Sequence, residues 1–64
     1  MTHLEKKIAK YKSTAHAYEM AARMARHNNA PKRAEDFQRR SDKAQRKVER
    51  YERAERMEAQ RLNA

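Results

Sequence analysis

A single cluster of helix-breaking residues, Asn28-Asn29-Ala30-Pro31, interrupts a chain otherwise made of helix formers. Proline lacks the N–H that a helix interior needs, and it disfavours helical backbone in the residue before it. The break leaves 27 residues on one side and 33 on the other. Two segments of that length joined by a short loop fold as an αα-hairpin. The alternative is one continuous helix kinked at Pro31. Ala, Glu, Lys, Arg and Gln are in excess and Gly is absent, a profile of long helices or coiled coil.

The helix ends carry their own signals. Thr2-His3-Leu4-Glu5 is a capping box, in which the Thr2 hydroxyl accepts the Glu5 amide and Glu5 reaches back to the Thr2 amide. His27-Asn28-Asn29 ends the first helix, because Asn tolerates the left-handed conformation. Arg26 and His27 suit the negative end of its dipole. Pro31 fits the first turn of the second helix, where its missing N–H costs nothing. Glu35 and Asp36 are expected to sit near the positive end of that helix. The spacing predicts one domain over 1–64, with helix 1 about 3–27, a loop at 28–30 and helix 2 about 31–61.

Leu4, Ile8, Tyr11, Ala15, Tyr18, Ala22 and Ala25 alternate steps of four and three residues, the seam of a coiled coil. Ala34, Phe37, Ser41, Ala44, Val48 and Tyr51 repeat the pattern. Glu55 and Glu58 then occupy seam positions before Leu62 restores it. Folded antiparallel, the seams pair Tyr18 with Ser41 and Tyr11 with Val48, so that large mostly meets small, while the layers Ala15 with Ala44 and Ala25 with Ala34 suggest close helix approach. Helix 2 outruns helix 1 beyond Glu55.

A lone two-helix hairpin is marginal, and self-association is the ordinary remedy. His16, Ala17, Met20, Ala21, Met24 and His27 form an uncharged face on helix 1 away from the seam. The economical expectation is a homodimer that packs helix 1 on helix 1 into a four-helix bundle. The competing expectation is that this face docks a partner protein. His16, Met20, Met24 and His27 share soft-metal ligand types, but no acid supports either histidine and Met is a common interface filler.

The charge balance is 17 Lys+Arg against 9 Asp+Glu, a net +8 that draws polyanions. Arg39, Lys43, Arg46, Arg50 and Arg53 recur at helical spacing opposite the seam, over about 21 Å of helix. Lys6, Lys7 and Lys10 extend the field, because an antiparallel hairpin lays residues 6–10 beside 49–53. Such a ladder can track a phosphate backbone. Against this, Glu35, Asp36, Asp42, Glu49 and Glu52 each precede an Arg by four residues, and such pairs also support a solvated face. The three Tyr and Phe37 fall on the seam, which favours core over base-stacking platforms. A basic patch at Arg26, Lys32 and Arg33 lies beside the loop.

Other classes have little support. The chain has no Cys, hence no disulfide or thiolate chemistry, and no Gly-rich phosphate loop. Ser13, Thr14 and Ser41 lack an organised base, so no catalysis, cofactor or small-molecule substrate is expected. No apolar run of membrane-spanning length and no signal peptide is seen, so the expected location is the cytoplasm. A basic helix lying on anionic lipid is a weak reading without Trp and with few Leu to insert. The layout alone is similar to small plasmid RNA-regulator proteins that form four-helix bundles, and no residue motif carries that likeness further. The sequence therefore points to an all-α antiparallel hairpin with a binding or regulatory role. Nucleic acid is the first candidate partner and an acidic protein the second.

Overall fold

The computed structural model describes residues 2–63. It contains two helices packed against each other, α1 over His3–His27 and α2 over Pro31–Asn63, and no strand among the described residues. Helix α2 has 33 residues, about 50 Å at the usual rise per residue. It accounts for most of the 53 Å long axis, against 17 and 11 Å across.

Thr2 Oγ1 accepts the Glu5 N–H at 3.1 Å, and the Thr2 N–H donates to Glu5 Oε2 at 3.3 Å, which closes the capping box. At the other end Asn29 takes φ 57°, the left-handed conformation. Its N–H donates to the Arg26 carbonyl at 3.1 Å, and the Ala30 N–H reaches the Ala25 carbonyl at 2.8 Å. This pair of bonds is a Schellman motif, built in a chain without glycine by an Asn that accepts the left-handed well. The Ala30 carbonyl then accepts the Ala34 N–H at 3.0 Å and opens α2 at Pro31. The first turn of α2 holds no acid. Glu35 and Asp36 lie one turn too late to meet the dipole, and Lys32 and Arg33 occupy the place instead.

The buried seam is made of small side chains. Ala15, Ala22 and Ala25 of α1 meet Ala34, Ser41, Ala44 and Val48 of α2, with Ile8 closing the far end. Ser41 Oγ donates to the Ala15 carbonyl at 3.0 Å in the middle of the seam. The rings do not alternate with small residues as expected. Tyr11 stacks on Tyr51 with centroids 5.7 Å apart, and Tyr18 on Phe37 at 6.2 Å. All four are half-buried. Close approach at the alanines leaves no central space for rings, so they slide to one flank and stack across the interface. Glu55 stands at a half-buried seam position with one carboxylate oxygen buried and unbonded.

Candidate nucleic-acid interface

Each seam position has a neighbour on either side, so an antiparallel pair of helices presents two flanks. One flank carries Glu5, Lys12, Glu19 and Arg26 from α1 beside Gln38, Gln45 and Glu52 from α2. Two pairs among them bridge the helices. Lys12 Nζ lies 3.8 Å from Glu52 Oε2, and Arg26 donates to Gln38 at 2.9 Å. Gln38 in turn donates to Asp42 at 3.1 Å.

The other flank is basic. Lys7 and Lys10 of α1 face Arg40, Lys43, Lys47 and Arg50 of α2, with Arg33 toward the loop. Over the length where the helices pair, Asp36 is the one acid on this side, and it holds Arg40 at 3.3 Å. The four rings lie along this flank, and three of them, Tyr11, Tyr18 and Tyr51, lie beneath cations. Lys47 Nζ sits 5.0 Å from the Tyr11 centroid and Lys10 Nζ 6.0 Å. Lys7 lies 5.2 Å from the Tyr51 ring and Arg40 5.9 Å from Tyr18. Each is a cation held over a π-face with no carboxylate competing except at Arg40. Between the helices runs a shallow groove of about 350 Å³, lined by Tyr11, Thr14, Tyr18, Arg40, Lys43 and Lys47 among others.

The sequence-derived basic residues do not form one surface. Lys7 and Lys10 share the basic flank with Lys43 and Arg50. Arg39, Arg46 and Arg53 run along the outer side of α2, and Lys6 lies on the outer side of α1, away from α2. All but the half-buried Lys7 are exposed. None of Arg39, Lys43, Arg46, Arg50 and Arg53 has an ion-pair partner among the described residues. Of the five acid-then-base pairs expected along α2, only Asp36–Arg40 forms, and Glu52 turns to Lys12 instead. Exposed pairs gain little and cost side-chain entropy, so spacing permits them without enforcing them.

Arg40 and Lys47 were missed by the sequence reading. The signal was their seven-residue repeat with Arg33 immediately before seam positions. The uncharged face of α1 also divides. Met20 and Met24 are exposed at 44% and 62%, with Ala17 and His27 beside them. Ala21 is half-buried, and His16 lines a groove on the opposite flank with Glu19 and Asp42. Among the described residues no helix is long and apolar enough to cross a membrane, and no group of acids or histidines is placed to hold a metal.

Comparison with protein-family models, curated proteins and solved structures found no match to this chain.

Proposed function

We propose that this chain is a small non-enzymatic binding protein that holds nucleic acid through phosphate contacts. The observation that carries the reading is that Arg39, Arg46 and Arg53 on the outer side of α2, and Lys43 and Arg50 on its basic flank, are all exposed over about 21 Å of helix and free of ion pairs among the described residues. Lys7 and Lys10 add to it from α1. Cations without internal partners keep their field for an external polyanion. Binding then weakens with salt, the slope of log K against log salt being roughly −0.9 for each duplex phosphate engaged. Arg46→Gln with Arg50→Gln should preserve helicity and make the slope shallower by ~1–2. A salt titration on a short duplex and a hairpin RNA reads it. An unchanged affinity and slope would turn the reading to an acidic protein partner.

A second reading concerns assembly. The exposure of Met20 and Met24 on one side of α1 supports a homodimer that packs α1 on α1 into a four-helix bundle. Sedimentation equilibrium tests it, and a folded monomer independent of concentration would end it.

A further inference from the structure

We infer that the groove of the basic flank is a binding site for single-stranded nucleic acid, with bases on Tyr11 and Tyr18 and phosphates on the surrounding cations. The inference rests on the nucleic-acid reading above and adds the form of the ligand and a second location, distinct from the outer row of arginines.

Three observations converge on it. The first is the rings themselves. Tyr11 and Tyr18 line an open groove and are only half-buried, although the periodicity assigns them to the seam. They stand seven residues apart on one face of α1, about 10 Å along the groove. The second is what covers them. Lys47 lies over Tyr11 and Arg40 over Tyr18, each on a flexible stem from the facing helix. Arg40 is also held by the exposed Asp36 at 3.3 Å, while Lys47 has no ion-pair partner among the described residues and is easily exchanged. It swings to a phosphate and leaves the π-face to a base, so the site meets both halves of a nucleotide. The third is charge. Lys43 and Lys47 have no ion-pair partner among the described residues, while on the opposite flank Lys12 is engaged by Glu52 and Arg26 by Gln38.

The geometry selects a single strand. Bases in a duplex are stacked on one another and offer only their edges to the grooves. A ring recessed between two helices can stack only with a base free to leave its neighbours. Stacking is indifferent to base identity, so little sequence preference is expected.

The chain has three Tyr and no Trp, and Tyr11 and Tyr18 line the groove while Tyr51 stacks on Tyr11, so tyrosine emission comes mainly from this site and its border. The test uses the whole chain at one fixed salt concentration, with a labelled twelve-nucleotide oligo(U) and a twelve-base-pair duplex. Affinity is read by anisotropy. The expected result is oligo(U) binding about tenfold tighter than duplex, with quenching of tyrosine emission by oligo(U) alone. Tyr18→Leu and Lys47→Gln should each lose fivefold or more on oligo(U), and no more than twofold on duplex. Circular dichroism checks helicity. If Tyr18→Leu unfolds, Lys47→Gln decides, since Lys47 is exposed and lies outside the buried seam. Equal affinity for both ligands, with neither variant selective, overturns the groove and leaves phosphate binding on the outer row intact. Absence of binding to either ligand removes the parent reading and the groove with it.

Discussion

Ser41 Oγ donates a 3.0 Å hydrogen bond to the main-chain carbonyl of Ala15 across the buried centre of the hairpin. A side chain as short as serine reaches the backbone of the facing helix only when the two helices lie close. The alanines around it make that approach possible. The Ala15 carbonyl sits inside a continuous helix and keeps its own acceptor bond there. Ser41→Ala therefore leaves no buried group unpaired and should cost about 1 kcal/mol or less. Ser41→Leu forces a large side chain between packed backbones and should cost roughly 1–3 kcal/mol. Thermal melts separate the two, since 1 kcal/mol moves the midpoint of a domain this size by about 4–8 °C. A Leu variant melting with the parent chain would contradict the close approach.

Asn29 carries the hairpin's left-handed residue at φ 57°. Asn29→Gly removes the Cβ that this conformation disfavours and should melt at or above the parent temperature. Asn29→Val should lose about 1–2 kcal/mol, because a β-branched residue resists the same well. The order Gly, Asn, Val in melting midpoint is the expected outcome. Any order with Val on top would mean that the loop adopts another turn.

The hairpin was legible in the sequence because two independent signals agree on it. The seven-residue period fixes the faces of Leu4 through Ala25 and of Ala34 through Tyr51, and the Asn28–Pro31 cluster fixes the bend. The arrangement of the rings was not legible. Tyr11, Tyr18, Phe37 and Tyr51 occupy seam positions in the pattern, and although the Ala–Ala layers point to close approach, the pattern does not show that close backbones push the rings off the seam. With alanine at the neighbouring seam positions the backbones close up, and the rings are displaced to a flank. Arg40 and Lys47 acquire their significance only there. The pairs spaced by four residues misled in the opposite direction, since Glu52 finds Lys12 on the other helix before Arg56 on its own.

Glu55 marks the end of the apolar seam. One of its carboxylate oxygens is buried without a partner, and the side chain lines a pocket with Ile8, Glu5, Glu52 and Lys12, whose charge is engaged by Glu52. An unsatisfied buried oxygen costs about 1–3 kcal/mol, and like charges beside it add to the cost. Glu55→Leu extends the seam over Ile8 and should stabilise the hairpin by about 1–2 kcal/mol, seen as a higher melting midpoint. Glu58→Leu is the control. Glu58 is exposed, so that change should leave the midpoint within a degree or two. Equal effects at both positions would show that general hydrophobicity, and not burial against α1, is being measured.

Two substitutions to aspartate on α1 separate the face that folds the chain from the face available for assembly. Ala15 is buried against α2, with 6% of its surface exposed. Ala15→Asp places an unpaired carboxylate in the seam, where neither water nor a cation compensates it, and the hairpin should lose its helical signal. Met20 is 44% exposed in the hairpin, so Met20→Asp meets solvent in a single copy and its backbone is undisturbed. If two copies join through α1, the same carboxylate is brought to their interface and opposes assembly by desolvation and by repulsion from its symmetry mate. Met20→Asp should therefore keep most of its helicity at high concentration while its sedimentation mass falls to that of one chain. Circular dichroism and sedimentation on the same samples distinguish the outcomes. Loss of helix in both variants would mean that the two faces act as one core. An unchanged mass for Met20→Asp, with the parent chain dimeric, would move the interface away from α1.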